Sequence, residues 1–497
     1  MTSQLIILQV IVPLISAPFC VLFRNARLAW LIALVVSWIT FAIAIMILGI
    51  VIDQGPVSYL LGNWQVPWGI EYKVDLIGAI LLVLVSAIAA VIMPYALKSV
   101  EKEIERPRIY LFYTMLLLCL AGLLGIAVTG DAFNLFVFLE ISSLSTYVLV
   151  SMGKNRRALT ASFHYLIMGT TGATFYIIGV GLMYMITGTL NMSDLATLIP
   201  AVADNRTIQV ALAFILVGLG IKLAMFPLHA WLPNAYTYAP SVVSVFLAST
   251  ATKIAIYVLV RMVFTIFGKV EILDILPIRY LIMGLAIIAM FSASLIAIFQ
   301  VDLKRMLAFS SLAQIGYILL GLSFDSITGL SAGIVHLFNH GLMKGALFMV
   351  AGAVYFRFGS TKLEQIEGLG KTMPWTMAAF VVAGLSMIGV PLTVGFVSKW
   401  YLMMAAFEQG YWPIAMLIVL SSLLAVIYVW RVVELAYFRE PAATSQLKGG
   451  IAKQDPPLSM LIPMWVLSLA TVYFGIDATR TMDIALIAAS SLKGMMP

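Results

Sequence analysis

The sequence predicts an all-α integral membrane protein with about fourteen transmembrane helices. Three observations lead there. Of the 497 residues, 62% are apolar and 10% charged, where an ordinary soluble domain carries about 25% charged residues. Mean hydropathy is +1.06, too high for an apolar core of normal proportions to coexist with a solvated exterior. The apolar runs are long and even, as helices of ~20 residues crossing a ~30 Å hydrocarbon core require, whereas barrel strands would be ~10 residues of alternating polarity. Soluble-enzyme and nucleic-acid-binding functions are excluded by the same figures.

Dividing the chain at its charged and Pro/Gly-rich breaks places the segments at 4-23, 28-52, 75-97, 109-128, 131-152, 161-187, 207-229, 240-267, 276-299, 304-323, 329-356, 374-405, 411-438 and 458-478. The first has no basic stretch before it and no small-residue cleavage site after it, so it is expected to stay as helix 1. Cys20 and Cys119 both lie in apolar runs and supply neither a disulfide framework nor a zinc or iron–sulfur ligand set. No glycine-rich nucleotide loop is present, and no cofactor or metal is expected.

The net charge of +7 is mainly a topology signal. Alternate loops hold Arg24 and Arg27; Lys98, Lys102, Arg106 and Arg108; Lys154, Arg156 and Arg157; Lys304 and Arg305; Arg357, Lys362 and Lys371; Arg439, Lys448 and Lys453. That is 17 of the 29 Lys and Arg, against six on the other side, Lys73, Arg206, Lys269, Arg279, Arg480 and Lys493. The excess predicts a multi-pass protein of the cell (inner) membrane with both termini outside the cytoplasm. Lys222, Lys253, Arg261, Lys344, Lys399 and Arg431 remain within the spans.

An ionisable group at mid-membrane costs several kcal/mol, about 3 on insertion scales, so each is a functional candidate unless it can snorkel to the interface. Lys253 lies about 13 residues, or ~20 Å, from either end of its span, and Lys344 is similarly central. Neither stem reaches the interface. Arg261 and Arg431 lie within about two turns of a helix end and read as structural, with Glu434 the expected i+3 partner of Arg431. Lys222 opens the run Lys222-Leu-Ala-Met-Phe-Pro227-Leu-His229-Ala-Trp231-Leu-Pro233-Asn234-Ala, in which Pro227 breaks the helix. Lys399 follows a Gly389-Val-Pro391 interruption inside an unusually long span. Paired broken helices, each with a lysine, point to a transport site, because freed backbone groups can line a wet cavity; a packing kink is the bland alternative.

Glu140 is the one carboxylate placed well inside a span. A Glu–Lys pair that opens and closes would move the lysine between proton-holding and proton-releasing states; a static salt bridge is the alternative. His336, His340 and Lys344 are spaced i, i+4, i+8 with Asn339 beside them, a polar track on one helical face that suits a proton relay. Two histidines without a nearby acid or thiol make a weak metal-ligand set.

With these residues in place, the chain resembles the antiporter-like subunit family shared by respiratory complex I, the membrane-bound hydrogenases and the Mrp-type multisubunit cation/proton antiporters. The resemblance covers roughly 75 to 440. It rests on Lys222 to Ala235, on Gln300-Val-Asp302-Leu-Lys304-Arg305-Met-Leu-Ala-Phe-Ser310-Ser311-Leu-Ala-Gln314-Ile-Gly316-Tyr317, and on His336-Leu-Phe-Asn-His340-Gly-Leu-Met-Lys344. It implies two inverted five-helix repeats, helices 4-8 and 9-13, with helices 7 and 12 discontinuous. The chain then divides into N-terminal helices 1-3 (1-108), a first repeat (109-267), a second repeat (276-438), and a cytoplasmic loop, helix 14 and tail (439-497). Carried over by residue, Glu140 modulates Lys222, Lys253 connects, His336, His340 and Lys344 relay, and Lys399 is terminal, along a hydrated axis at mid-membrane. Lysine at 399 favours the Mrp D-type chain or a hydrogenase homologue, because the complex I subunit of similar length usually has glutamate there. Asn234 departs from the acidic residue many relatives carry. The implied function is proton translocation in a multisubunit Mrp-type Na+/H+ antiporter, or, alternatively, as a pumping subunit of a redox complex. The implied partners are further membrane subunits, the lipid bilayer, H+ and Na+.

Overall fold

The structure is a computed structural model that describes residues 3–268, 277–324, 326–440 and 455–494. Lys269, Lys448 and Lys453 of the charge count, and position 276 of the ninth segment, lie outside the described residues. Among those described, twelve helices are long and apolar enough to cross a membrane, from Gln4–Phe23 to Leu458–Ile476. Each coincides with a predicted segment. The two predicted segments missing from that set are the seventh and twelfth, and both are broken.

The first break follows Lys222, the last residue of the helix Arg206–Lys222. Ala224 takes a positive φ of 60°, and the chain turns through Pro227 before helix resumes at Leu232–Tyr238. Proline cannot donate to the helical ladder, which is why the turn is not re-absorbed. The second break separates Pro374–Ile388 from Val394–Glu408. Gly389 ends the first half at φ 95°, a conformation that glycine adopts without a Cβ clash.

A third break was not foreseen. The eighth segment divides at Thr250 into Ser241–Ser249 and Ala251–Val260, and its last turn, Arg261–Ile266, is π-helical. No glycine or proline marks the place. The Thr250 hydroxyl bonds the Phe246 carbonyl at 2.6 Å, the kind of side-chain competition with the backbone that bends helices.

Asp131 N-caps Ala132–Ser151 and Asp302 N-caps Leu303–Ser323, with nearly identical φ/ψ of −122°/129° and −122°/130°. Each also forms an isolated strand bridge, Asp131 to Asn191 and Asp302 to Lys362. A left-handed glycine, Gly188 or Gly359, ends the next helix just before each bridge. The offset is 171 residues in all three pairs. The two joints lie in different cavities. Val301, Asp302 and Thr361 line one with Lys154, Arg157, Lys304, Arg305 and Lys362; Thr129, Gly130 and Ser193 line another with Lys73 and Lys493. The basic loops that hold Lys154 and Arg157, Lys304 and Arg305, and Lys362 are therefore together in space.

Two helices form the centre. Leu303–Ser323 is buried throughout and Ile327–Phe358 nearly so. They are polar for central helices, and the side chains that make them so build the site below. A short hairpin, Val57–Leu60 with Glu71–Val74, and a final helix, Thr479–Leu492, were not expected.

Two expectations are corrected and a third is sharpened. Lys304, counted as a loop charge, is buried at 3% exposure within the first turn of its helix. Arg261 has a structural role, as expected, but through an ion pair: it is buried, lines the cavity that holds Lys73, and grips Asp75, the N-cap of Leu76–Glu103, with both terminal nitrogens. Arg431 does not pair with Glu434, which pairs with Arg439 instead. Arg431 donates to the carbonyls of Ile298 at 2.6 Å and Gln300 at 2.9 Å, because Ile298 ends its helix and leaves these acceptors unpaired.

Candidate functional site

Glu140 and Lys222 meet as expected. Lys222 Nζ lies 3.3 Å from Glu140 Oε1 and donates to Ser143 Oγ at 2.7 Å. Ser143 stands one turn along the same helix as Glu140, so one helix face presents a carboxylate and a hydroxyl to a single ammonium. The break positions the lysine. Trp231 returns from the turn to donate its indole N–H to the Ile221 carbonyl at 2.8 Å and stacks on Tyr165 at 4.1 Å, which pins the chain on both sides of Pro227.

Lys253 has no exposed surface. Its ammonium donates to the Ala248 carbonyl and approaches Thr252 Oγ1 at 3.4 Å. The break at Thr250 is what makes this possible, since an unbroken helix would direct the Ala248 carbonyl to the amide of Thr252. Among the described residues no carboxylate lies within ion-pair distance of Lys253. Gly341 and Gly345 let the Ile327–Phe358 helix approach the break closely; a Cβ at either would stand 3.1 Å from an oxygen of Ser249.

His336, His340 and Lys344 line one face of Ile327–Phe358, all with 0% exposure. The helix Ala251–Val260, which carries Lys253, packs against this one. His336 Nδ1 is 2.7 Å from Ser398 Oγ and Nε2 is 3.0 Å from Gln314 Oε1. With an amide oxygen at Nε2, the neutral ring donates there and accepts from Ser398 at Nδ1. Neither nitrogen of His340 has a hydrogen-bond partner among the described residues, and its ring stacks on His336 at 6.3 Å. Both His336 nitrogens being engaged, the pair does not present two converging free ligands to a metal. Lys344 donates to the Leu307 carbonyl at 3.0 Å, to Ser310 Oγ, and contacts Met387 Sδ at 3.5 Å.

Lys399 Nζ donates to the carbonyls of Met387 at 3.0 Å and Ile388 at 2.9 Å and sits 4.7 Å from the centre of the Tyr317 ring. These carbonyls close the first half of the broken helix, where the helix dipole is negative. The two broken helices place their lysines on opposite sides of their breaks and hold them differently, Lys222 by Glu140 and Ser143 of another helix and Lys399 by carbonyls of its own. Lys222 precedes its break and ends a half-helix; Lys399 follows its break and reaches back to the end of the other half.

Asn339 adds a clamp, donating to the Val394 carbonyl at 2.8 Å. Sequence reasoning missed Ser143, Thr250, Met387 and Ser398 as site residues. Ser310, Gln314 and Tyr317 were in a quoted motif without a role. Their signal is positional: Ser310, Gln314 and Tyr317 are spaced i, i+4, i+7 and so share one face of Leu303–Ser323. Asn234, the departure from the family pattern, accepts from Arg305 at 2.9 Å, a neutral partner where an acidic residue would make an ion pair.

The chain is similar to known proteins over most of its length. The family described as NADH:quinone oxidoreductase/Mrp antiporter, TM, matches residues 129–425. The chain is 40% identical over 494 residues to the N-type chain of NADH-quinone oxidoreductase from Desulforudis audaxviator, covering 96% of each. It is 30% identical over 492 residues to the D-type chain of the Na(+)/H(+) antiporter from Alkalihalophilus pseudofirmus, covering 99% of this chain and 97% of that one. A chain of the Mrp complex from Dietzia sp. DQ12-45-1b superposes at a TM-score of 0.89 with 27% identity, covering 100% of this chain and 98% of that one.

Proposed function

Because this chain belongs to the NADH:quinone oxidoreductase/Mrp antiporter membrane family, we propose that it carries protons across the cell membrane as one subunit of a multisubunit Mrp-type Na+/H+ antiporter. The axis is Glu140, Lys222, Lys253, His336, His340, Lys344 and Lys399. The observation that carries this reading is the burial of four lysines and two histidines with, among the described residues, a single carboxylate, Glu140, in contact with any of them. A static structural network would neutralise its charges pairwise. Here Lys253, Lys344 and Lys399 are held by carbonyls, hydroxyls and an aromatic face, which stabilise an ammonium without fixing its charge.

The Glu140–Lys222 pair acts as a gate. When closed it holds a proton on Lys222; when it opens, the uncompensated charge favours passing the proton on toward Lys253. Like charges crowded in a low-dielectric interior repel, so loading one site favours unloading the next. Backbone groups freed at the breaks beside Lys222 and Lys399 would let water reach the ends of the axis.

The 171-residue recurrence of one joint in two different cavities supports two inverted repeats, helices 4-8 and 9-13, in a chain that crosses the membrane fourteen times. The excess of Lys and Arg on one set of loops supports a cytoplasmic position for that set, with both termini outside.

A second reading has specific support. The 40% relative is a subunit of NADH-quinone oxidoreductase, which would make this chain a proton-pumping subunit driven by electron transfer in its partners. The complex with its native partner subunits, reconstituted in proteoliposomes, separates the two. Na+-dependent dissipation of a proton gradient without an electron donor supports the antiporter. Proton movement that appears only with NADH, ferredoxin or hydrogen assigns the chain to a redox pump.

A further inference from the structure

Lys304 is a buried lysine that the axis above does not use. It is 3% exposed, donates to the Ala239 carbonyl at 3.2 Å and lies 5.1 Å from the centre of the Tyr355 ring. It also lines a cavity of about 480 Å³ on the basic-loop face, with Glu103, Asp302 and Tyr355 beside it and Lys154, Arg157 and Lys362 at the rim. Both neighbouring carboxylates are otherwise engaged. Glu103 accepts from Ser99 Oγ at 2.8 Å and from the Ser241 amide at 2.9 Å; Asp302 accepts from the Arg305 amide at 3.0 Å and from Thr361 Oγ1 at 2.7 Å. Among the described residues, Lys304 is therefore held at a water-accessible mouth without a carboxylate bound to it.

The same helix leads from Lys304 into the axis. Leu307 is one turn on, ~4.5 Å of rise, and its carbonyl accepts from Lys344 at 3.0 Å. Ser310, three residues further, accepts from Lys344 as well. A helix that seats one buried lysine at a cavity and holds a second within two turns has the geometry of an inlet. If Lys304 served only to cap the Ala239 carbonyl, nothing would require it to line the cavity.

Resting on the proton-carrying function argued above, we propose that Lys304 is the proton-loading residue of the axis on the basic-loop face, and that the Glu103–Asp302–Tyr355 cavity is its aqueous mouth. In the step, the N–H bond of the Lys304 ammonium breaks and, carried by water across the roughly one to two helical turns between the two sites, the proton forms a new N–H bond on the neutral amine of Lys344. Lys304 is left neutral and takes a fresh proton from water in the cavity. The charges of Glu103 and Asp302 keep this reloading favourable.

The test uses the complex with its native partners in proteoliposomes, read by a pH-sensitive dye. Lys304→Arg keeps the charge, the reach to Ala239 and the contact with Tyr355, but a guanidinium does not release its proton in a protein. The arginine variant is expected to assemble and to move protons about a hundredfold more slowly than wild type. Wild-type rates in Lys304→Arg overturn the proposal and leave a structural lysine. A second arm avoids Lys304. Ser360→Cys, at the cavity wall, is labelled with a membrane-impermeant maleimide from the basic-loop side; loss of transport on labelling is expected, and undiminished transport in the labelled protein overturns the inlet. Both arms are scored against an active wild-type complex, so an inactive wild type counts against the general function and not against Lys304 alone.

Discussion

Lys399 reaches back across the break in its own helix to donate to the carbonyl of Met387 at 3.0 Å, while the Met387 sulfur touches Lys344 at 3.5 Å. One residue at the end of a half-helix therefore contacts two lysines of the proposed axis. Any shift of that half-helix alters both, which gives the break a role beyond making room.

Substitution of the end residues should separate axis from scaffold. Glu140→Ala, Lys222→Ala and Lys399→Ala are each expected to lower proton transport about a hundredfold or more while the complex still assembles. Arg431→Ala, which removes only contacts to two carbonyls at a helix end, should retain most transport. Equal losses in Arg431→Ala and Lys222→Ala, measured in the same proteoliposomes, would contradict the assignment.

Ser398 and Gln314 hold His336 from two sides. Ser398→Ala and Gln314→Leu should each slow transport about tenfold by releasing the ring from its position, and Ser398→Thr, which keeps the hydroxyl, should recover most of it. The imidazole nitrogen shifts of His336 in solid-state NMR should move in the two disrupted variants. Unchanged shifts with slowed transport would mean that these residues act elsewhere.

Gly395 lies against the first half of its broken helix so closely that an added Cβ would overlap the Ser386 carbonyl oxygen. Gly395→Ala is expected to force the two halves apart, destabilise the protein by about 2 kcal/mol and draw Lys399 away from Met387. Thermal unfolding in detergent and transport should fall together; a fully stable, active Gly395→Ala protein would show that the halves are not held as described.

The Asp75–Arg261 pair predicts a stability effect with a definite pH sign. Burial works to raise the pKa of the Asp75 carboxyl, but the Arg261 charge and hydrogen bonds, with those of the helix N-terminus, outweigh it and hold the group below its usual range. Its contribution is therefore complete above the unfolded aspartate value of about 4 and is lost as pH falls through the lower folded value. Asp75→Asn leaves Arg261 buried without its counter-charge and should cost about 3 kcal/mol at neutral pH, with the gap to wild type closing in acid. Unfolding temperatures measured from pH 7 downward check this; a gap that widens in acid would reverse the sign.

Much of the fold was legible because the bilayer leaves few choices. Every backbone group must be paired within the segment, so an apolar run of the right length becomes a helix, and the described helices begin and end within a few residues of the expected ones. Pro227 and the Gly389–Pro391 stretch announced two breaks for the same reason, since their chemistry removes donors or permits a positive φ. Thr250 announced nothing, because a threonine breaks a helix only when its surroundings let the hydroxyl compete with the backbone. The charged residues followed the same division. Depth along a helix singled out Lys253 and Lys344 from local spacing alone. The fates of Lys304, Arg261 and Arg431 depended on Ala239, Asp75 and Ile298, residues 65, 186 and 133 positions away.

The sequence by itself determined the solvent, the helices, two of the three breaks and which ionisable groups lie too deep to escape, because each follows from composition or from spacing along one helix. Only the tertiary structure decided what each of those groups touches. Glu140 needed a helix 82 residues away to supply Lys222, and Lys399 needed the fold of its own break to find Met387. A buried charge is stabilised by atoms within a few ångströms, and in a bundle of long helices those atoms come from parts of the chain that periodicity does not relate.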